Sequence, residues 1–211
     1  MRFSLGVFIG PPKRGRRSNL QIRNVTTDAV MRKLSWDEID RPRPEAVAEL
    51  PKHPVRTMVH NVRSIYNVGA IFRTSDAARI EHLHLSGYTG TPDHPDLHKT
   101  ALGAQDVVSW SAHEDAHAVL DDLETAGYTP AVLEITSDPT RPSEVTAEQF
   151  PLCLIVGNEV HGVDDALVSR ANLALEIPQY GAKQSLNVAV AYGIAVFELV
   201  RRYRHLSGPP S

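Results

Sequence analysis

The feature that most constrains the fold of this chain is a regular alternation of strand-like and helix-like segments that begins near residue 55. The predicted strands cover residues 57–62, 82–86, 107–110, 130–135, 152–156 and 173–177, and the predicted helices cover residues 67–79, 114–126 and 185–205. Strands that alternate with helices run mainly parallel, because each crossover helix returns the chain to the same end of the sheet. The pattern predicts an α/β fold with an open, mainly parallel sheet that helices cover on both faces.

The last of these helices is apolar on nearly all sides. Between residues 188 and 200 the apolar run is interrupted mainly by Gly193 and Glu198. A helix with this pattern is buried on more than one side. In a domain of this size one side packs against the sheet and the other against a second copy of the chain, so we expect a homodimer.

Two irregular segments precede the regular pattern. Residues 1–30 hold six basic residues and one acidic residue, a net charge of +5, which leaves −8 for the remaining residues because the whole chain carries −3. This basic leader is either a solvated, structureless tail or a contact for a phosphate backbone. Residues 31–54 are predicted to be a short extension, with a helical turn near residues 36–39 and a proline-rich, extended connector. The predicted domain covers residues 55–205, and residues 206–211 are expected to form a flexible tail.

Composition argues against several classes of protein. The sequence has no run of about 18 uncharged apolar residues, so no membrane-spanning helix is expected. The apolar stretch at residues 3–9 is followed by basic residues, which is the wrong order for a secretory signal. The single cysteine, Cys153, excludes an internal disulfide and is typical of a reducing compartment. We therefore expect a cytoplasmic protein.

One short motif suggests zinc chemistry. Residues 113–117 match H-E-x-x-H, in which two histidines one helical turn apart bind zinc and the glutamate acts as a base. No third ligand follows at the spacing of a metalloprotease, and the segment opens a helix whose apolar face is Val119, Leu120 and Leu123. A zinc hydrolase is therefore only the third hypothesis, and no metal site is assigned.

Three segments place polar residues where a predicted strand ends. Residues 61–74 read NVRSIYNVGAIFRT, residues 154–162 read LIVGNEVHG, and residues 177–188 read IPQYGAKQSLNV. Ligands of parallel α/β proteins bind at the carboxyl ends of the strands. Each segment alone also fits an ordinary turn or cap, with Asn67 and Ser185 as helix N-caps.

Together and in this order, the three segments resemble the three motifs of the SpoU/TrmH family of SPOUT methyltransferases. The matching patterns are N-x-G-A-I-x-R-T, G-N-E-x-x-G and I-P…S-L-N-V-x-V-A, and the resemblance covers about residues 55–200. It implies a sheet whose C-terminal part forms a trefoil knot, and S-adenosylmethionine as the cofactor. It also implies dimerisation through the region of the last helix and methylation of a ribose 2′-hydroxyl in a structured RNA, either tRNA or rRNA.

The resemblance implies a role for each matching residue. The residues expected to bind the cofactor, largely through their backbone, are Gly157, Asn158, Ile177 and Leu186. The expected catalytic set is Arg73, Asn67, Glu159, Ser185 and Asn187. Arg73 is expected to grip a phosphate of the target nucleotide and thereby to position the hydroxyl, whose proton passes to that phosphate or to a deprotonated guanidinium.

Two features depart from the family pattern. Val160 stands where many relatives carry glycine, and about 54 residues precede the core, too few for the N-terminal substrate-binding domain that many relatives possess. RNA recognition is then expected to come from the core, the dimer and the basic leader. The runner-up hypothesis is a non-catalytic RNA-binding protein on the same fold.

Overall fold

The computed structural model describes residues 31–39 and 43–208. The strands are β1 (His53–His60), β2 (Ile80–Ser86), β3 (Trp110–His113), β4 (Thr129–Leu133), β5 (Leu152–Val156) and β6 (Leu173–Leu175). The α-helices are α1 (Pro44–Glu49), α2 (Ile65–Ala78), α3 (Pro95–Ala101), α4 (Ala116–Thr125), α5 (Asp165–Val168) and α6 (Val188–Leu206). These strands and α-helices belong to one compact unit that begins at residue 42. The predicted basic leader, residues 1–30, lies outside the described residues.

The six strands form one sheet in the order β3-β2-β1-β5-β4-β6. All five neighbouring pairs are parallel, as the alternation of strands and helices predicts. β1 and β5 are adjacent at the centre, with Val59 level with Val156. The loops that follow these two strands therefore leave the sheet side by side at the same edge.

Helices cover both faces of the sheet, because successive side chains of each strand point to opposite sides. In β5, Leu154 belongs to a buried cluster with Phe72 of α2 and Val196 of α6. Its neighbour Ile155 belongs to a second cluster with Leu120 of α4. The continuous apolar run of β5 reflects this double burial and confirms the predicted α/β architecture.

The predicted starts of two helices are wrong. Helix α2 begins at Ile65, and its N-cap is Ser64, whose hydroxyl accepts a hydrogen bond from the backbone N–H of Asn67. Helix α6 begins at Val188 and is capped by Asn187, so Ser185 lies in the preceding loop. Because Asn67 is not a cap, its side chain is available for other contacts.

Two other local predictions are also corrected, and one helix was not predicted. Residues 107–110 are not a strand, because the N–H groups of Val107 and Val108 bond back to Ala104 in a tight turn, and β3 begins only at Trp110. Part of the connector that was expected to be extended forms α1, with a proline in its first turn, where no N–H donor is needed. The polar loop after β2 leads into α3, which the sequence pattern did not predict. None of the described helices is long and apolar enough to cross a bilayer.

Candidate active site

The three sequence motifs meet through one set of hydrogen bonds. The Nδ2 group of Asn67 donates to Oε1 of Glu159 at 2.9 Å, and Nδ2 of Asn187 donates to Oδ1 of Asn67 at 3.1 Å. Each residue comes from a different motif, and Asn67 links the other two. We call this set of Asn67, Glu159 and Asn187 the junction.

The junction exists because of the strand order. Glu159 lies in the loop after β5 and Asn67 in the first turn of α2, which follows β1, and these adjacent strands end at the same edge of the sheet. Asn187 is held separately, since its Oδ1 caps α6 by accepting from the N–H groups of Ala189 and Val190. Its amide nitrogen therefore points toward Asn67, while its amide oxygen faces the helix.

The Glu159 carboxylate is held as an anion at the start of α2. Its oxygens accept the backbone N–H groups of Arg63 and Ser64, both at 3.0 Å, and the amide of Asn67. Burial alone raises the pKa of this carboxyl, but these hydrogen bonds outweigh it and the net effect lowers the pKa. The positive end of the helix dipole also favours an anion at this position.

The loop that carries Glu159 is closed by two glycines. Asn158 and Gly162 exchange two backbone hydrogen bonds of 2.9 Å, which bring Gly157 against Gly162. A Cβ atom on Gly157 would lie only 2.2 Å from the carbonyl oxygen of Gly162. No other residue fits at Gly157, so the close backbone approach explains this glycine.

Asn158 organises the same loop from inside. Its Oδ1 accepts the N–H groups of Val160 and His161, and its Nδ2 donates to the carbonyl of Asn61 and the hydroxyl of Tyr88. The side chain is buried and all its hydrogen-bonding groups are occupied within the protein. Asn158 therefore ties the loop after β5 to the loops after β1 and β2.

A cleft of about 280 Å³ opens beside the junction, at the carboxyl ends of β4, β5 and β6. Its floor is formed by the apolar strand ends Leu133, Val156 and Leu175, while its walls also carry polar side chains, among them Glu176 and Gln179. Six of the predicted site residues line it, namely Gly157, Asn158, Glu159, Ile177, Ser185 and Leu186. The structure thus brings all four predicted cofactor-binding residues to one cleft.

Three predicted residues do not line the cleft: Asn67 and Asn187 belong to the junction at its side, and Arg73 lies further away. It lies on α2, about 9 Å further along the helix axis than Asn67, and its side chain is exposed. Among residues 31–39 and 43–208 it has no ion-pair partner. The guanidinium is therefore free to meet a group that arrives from solvent.

Sequence reasoning missed Glu134, which also lines the cleft. Its two carboxylate oxygens accept the N–H groups of Ile135 and Val163, each at 3.0 Å. The signal that could have indicated it was its place in the predicted strand 130–135, at the end where ligands bind. Glu134 reaches the cleft because β4 lies next to β5, and the sequence pattern does not predict this strand order.

The zinc motif does not form its expected geometry. His113 is the last residue of β3, and Asp115 caps α4, so His113 and His117 do not share a helix face. His113 instead lies 2.7 Å from the hydroxyl of Ser111. Within the described residues no group of three or more histidine, cysteine or acidic side chains is arranged to hold a metal ion.

Comparisons with known proteins agree with this geometry. The sequence model of the SpoU rRNA Methylase family matches residues 54–197. A tRNA (guanosine(18)-2′-O)-methyltransferase from Thermus thermophilus is 30% identical over 165 residues, which are 78% of this chain and 84% of the relative. The crystal structure of a TrmH/SpoU tRNA modifying enzyme from A. aeolicus has a TM-score of 0.67 and 28% identity, covering 74% of this chain and 78% of that chain.

A further crystal structure is that of an AdoMet-bound rRNA methyltransferase from Sinorhizobium meliloti. Its TM-score is 0.66 at 25% identity, and the match covers 74% of this chain and 59% of that chain. The family match spans well over half of the sequence and contains all three motifs that build the junction and the cleft. The chain therefore belongs to the SpoU rRNA Methylase family.

Proposed function

We propose that this protein transfers a methyl group from S-adenosylmethionine to a ribose 2′-hydroxyl of a structured RNA, either tRNA or rRNA. The observation that carries the proposal is the junction, in which Glu159, Asn67 and Asn187 are hydrogen-bonded at the side of a cleft. The names of the relatives, which include tRNA and rRNA 2′-O-methyltransferases, support the same reaction and the same class of substrate.

The cleft offers the cofactor both apolar and polar contacts. The apolar strand ends form a surface on which a flat ring can lie, and the polar groups around them can fix its orientation. Gly157, Ile177 and Leu186 would hold the cofactor. Asn158 has its side chain and backbone engaged within the protein, so we assign it to the shape of the loop. When bound, the cofactor supplies an activated methyl group on a sulfonium.

The remaining residues align the acceptor. Asn67, fixed between Glu159 and Asn187, and Ser185 at the cleft wall would orient the ribose, so that its 2′-oxygen faces the methyl carbon. Arg73 would bind a phosphate of the same nucleotide from the outer side of α2. As the methyl carbon forms its bond to the 2′-oxygen, its bond to the sulfonium sulfur breaks and the hydroxyl proton leaves; the phosphate held by Arg73 would accept this proton.

We also propose a homodimer that forms through α6. This helix buries Tyr192, Val196 and Leu199 against the sheet, yet its opposite side exposes an apolar stripe, Val190, Ile194 and Phe197, each about half exposed. Residues 190, 194 and 197 share one helix face. Sedimentation should show a dimer for the wild type and a monomer for Ile194→Glu, whereas an unchanged dimer in the variant would contradict this interface.

Three further expectations belong to the same proposal. The C-terminal part of the sheet, with α6, would form the trefoil knot implied by the family resemblance. The protein would act in the cytoplasm, for which its buried, unpaired Cys153 is suited. The boundaries of the proposed methyltransferase domain are residues 55–205, between a short extension and a C-terminal tail.

A methylation assay separates this proposal from the runner-up, an RNA-binding protein without activity. Total RNA from the source organism lacking this gene is incubated with methyl-labelled S-adenosylmethionine and the wild-type protein. Methylation of the ribose protects the adjacent phosphodiester from alkali, so we expect labelled dinucleotides that survive alkaline hydrolysis. Absence of label with cofactor binding intact would favour the runner-up. Label in mononucleotides would point to a base as the acceptor.

A further inference from the structure

One exposed aromatic ring beside the junction is fixed at both ends. The backbone N–H of Tyr88 donates to Oδ1 of Asn61 at 3.2 Å, and its hydroxyl accepts from Nδ2 of Asn158 at 2.9 Å. Nevertheless 60% of the residue is exposed. Tyr88 therefore presents an ordered ring to solvent, with its polar tip already engaged.

The loop that carries Tyr88 is itself rigid. The hydroxyl of the next residue, Thr89, is buried, accepts the N–H of Val62 and lies 2.9 Å from the carbonyl of Val59. On the other side, Gly87 has φ +65°, and a Cβ atom there would lie 2.0 Å from Oδ1 of Asn61. The backbone on both sides of Tyr88 is thus held in place by contacts that do not involve its ring, and the ring stays exposed to solvent.

The contacts of Tyr88 connect it to the two loops that build the junction. Asn61 opens the loop after β1, which leads to Asn67, and Asn158 immediately precedes Glu159. The ring therefore has a fixed position relative to the residues that would orient the ribose. By contrast, the exposed Tyr180 makes no side-chain hydrogen bond within the described part of the chain.

We propose that Tyr88 is a stacking platform for a nucleobase of the RNA substrate, at the target nucleotide or next to it. Aromatic side chains stack on unpaired bases, and a ring that is already ordered loses little conformational freedom on binding. This inference rests on the proposed function, because it assumes an RNA acceptor. It adds a positioning residue that none of the three motifs contains.

A purely structural role makes a different prediction. The Tyr88 hydroxyl also accepts from the amide of buried Asn158, so a structural role would consist of holding that loop. Tyr88→Phe and Tyr88→Leu form a matched pair, since both lose the hydroxyl and only phenylalanine keeps an aromatic face. A role of the hydroxyl affects both variants equally, and a role of the ring affects only leucine.

The experiment measures dissociation constants for the tRNA and rRNA fractions, with S-adenosylhomocysteine present, and separately for S-adenosylhomocysteine alone. We expect Tyr88→Leu to bind one RNA fraction at least about fivefold more weakly, with Tyr88→Phe close to wild type. Both variants should keep the affinity for S-adenosylhomocysteine. Equal RNA affinities in the two variants, or no binding of RNA by the wild type, would overturn the inference.

These binding constants do not depend on turnover, so the two proposals can fail separately. A wild type that binds RNA through Tyr88 but transfers no methyl group would contradict the proposed function alone. A wild type that methylates RNA while the two variants behave alike would contradict only the stacking platform.

Discussion

Two polar networks join α2 to α6, and they differ in their surroundings. In the first, the hydroxyl of Tyr192 lies 2.7 Å from that of Ser75 and accepts from Thr57 of β1 at 3.4 Å, with all three side chains fully buried. The second is the junction, in which Asn187 and Asn67 meet at 3.1 Å on the surface. The same two helices are thus tied once inside the core and once at its edge.

The difference shows how position decides what a polar network can do. Burial raises the pKa of Tyr192 to about 12, so this hydroxyl stays neutral and has no path to a substrate. The junction stands where strands β1 and β5 end, holds the Glu159 carboxylate, and borders the cleft. The buried network should therefore affect stability, and the junction should affect activity.

The largest effect is expected for Arg73→Ala, which removes the proposed phosphate contact from the exposed side of α2. We expect kcat for methyl transfer to fall about 100-fold, because the acceptor is no longer held in line. Arg141→Ala is the control, since Arg141 is an exposed arginine outside α6 and outside the residues that line the cleft. A folded Arg73→Ala protein with near-normal kcat would remove Arg73 from the proposed site.

A smaller loss is expected for Glu159→Gln, which keeps the shape of the side chain but loses its charge. The N–H groups of Arg63 and Ser64 would then face a neutral amide, and the junction would loosen. We expect kcat/KM to fall about tenfold, measured with cofactor saturating. An unchanged kcat/KM would mean that the carboxylate is not needed to hold Asn67.

The same variant tests the charge of Glu159 through its pH dependence. The pKa of Glu159 is lowered in the folded state, so its carboxylate stabilises the fold at pH values above the ordinary carboxyl pKa. This contribution is lost as the pH falls through the lowered pKa. The difference in free energy of unfolding between wild type and Glu159→Gln should therefore be present at pH 7 and shrink in acid. A pH-independent difference would contradict the lowered pKa.

Asn187→Asp separates the two functions of one side chain. Aspartate still caps α6 through an oxygen, so the melting temperature should change little. The amide nitrogen that donates to Asn67 is replaced by a carboxylate oxygen, which faces Oδ1 of Asn67 and cannot donate to it. Because this hydrogen bond is lost, we expect kcat to fall about fivefold. Asn187→Ala should lower both stability and kcat. Full activity of the aspartate variant would show that this contact does not serve catalysis.

The smallest effect on activity is expected in the buried network. Tyr192→Phe leaves the hydroxyls of Ser75 and Thr57 without their buried partner, which should cost about 1–2 kcal/mol of stability. Denaturant unfolding measures this loss, and kcat well below the melting temperature should match wild type. A fall in kcat comparable to that of Asn187→Asp would remove the distinction between the two networks.

The sequence predicted the parts of this molecule that depend on local pattern. Residues 152–156 alternate between two buried clusters and were identified as a strand at their full length. The residues that form the junction were identified by resemblance, although Asn67 and Ser185 were also considered as caps. Ser64 caps α2 in place of Asn67, and Asn187 caps α6 in place of Ser185. Serine and asparagine are about equally good N-caps, so the sequence pattern alone could not choose between them.

The parts that escaped prediction depend on strand order and on long-range contacts. Glu134 reaches the cleft only because β4 lies beside β5, although the strands are separated in the chain by a polar segment. No role was predicted for Tyr88, because its partners Asn61 and Asn158 are 27 and 70 residues away. Arg73 shows the reverse case, because the motif identified it while the single chain leaves it outside the cleft.

The most direct test of the central claim compares the two networks in one assay. Single-turnover methyl transfer to RNA lacking the modification is measured for wild type, Glu159→Gln and Tyr192→Phe, with alkali-resistant dinucleotides as the product counted. The account predicts that Tyr192→Phe matches wild type and that Glu159→Gln forms the same dinucleotides about tenfold more slowly. Equal rates for all three proteins, or a larger loss in Tyr192→Phe while it remains folded, would contradict it.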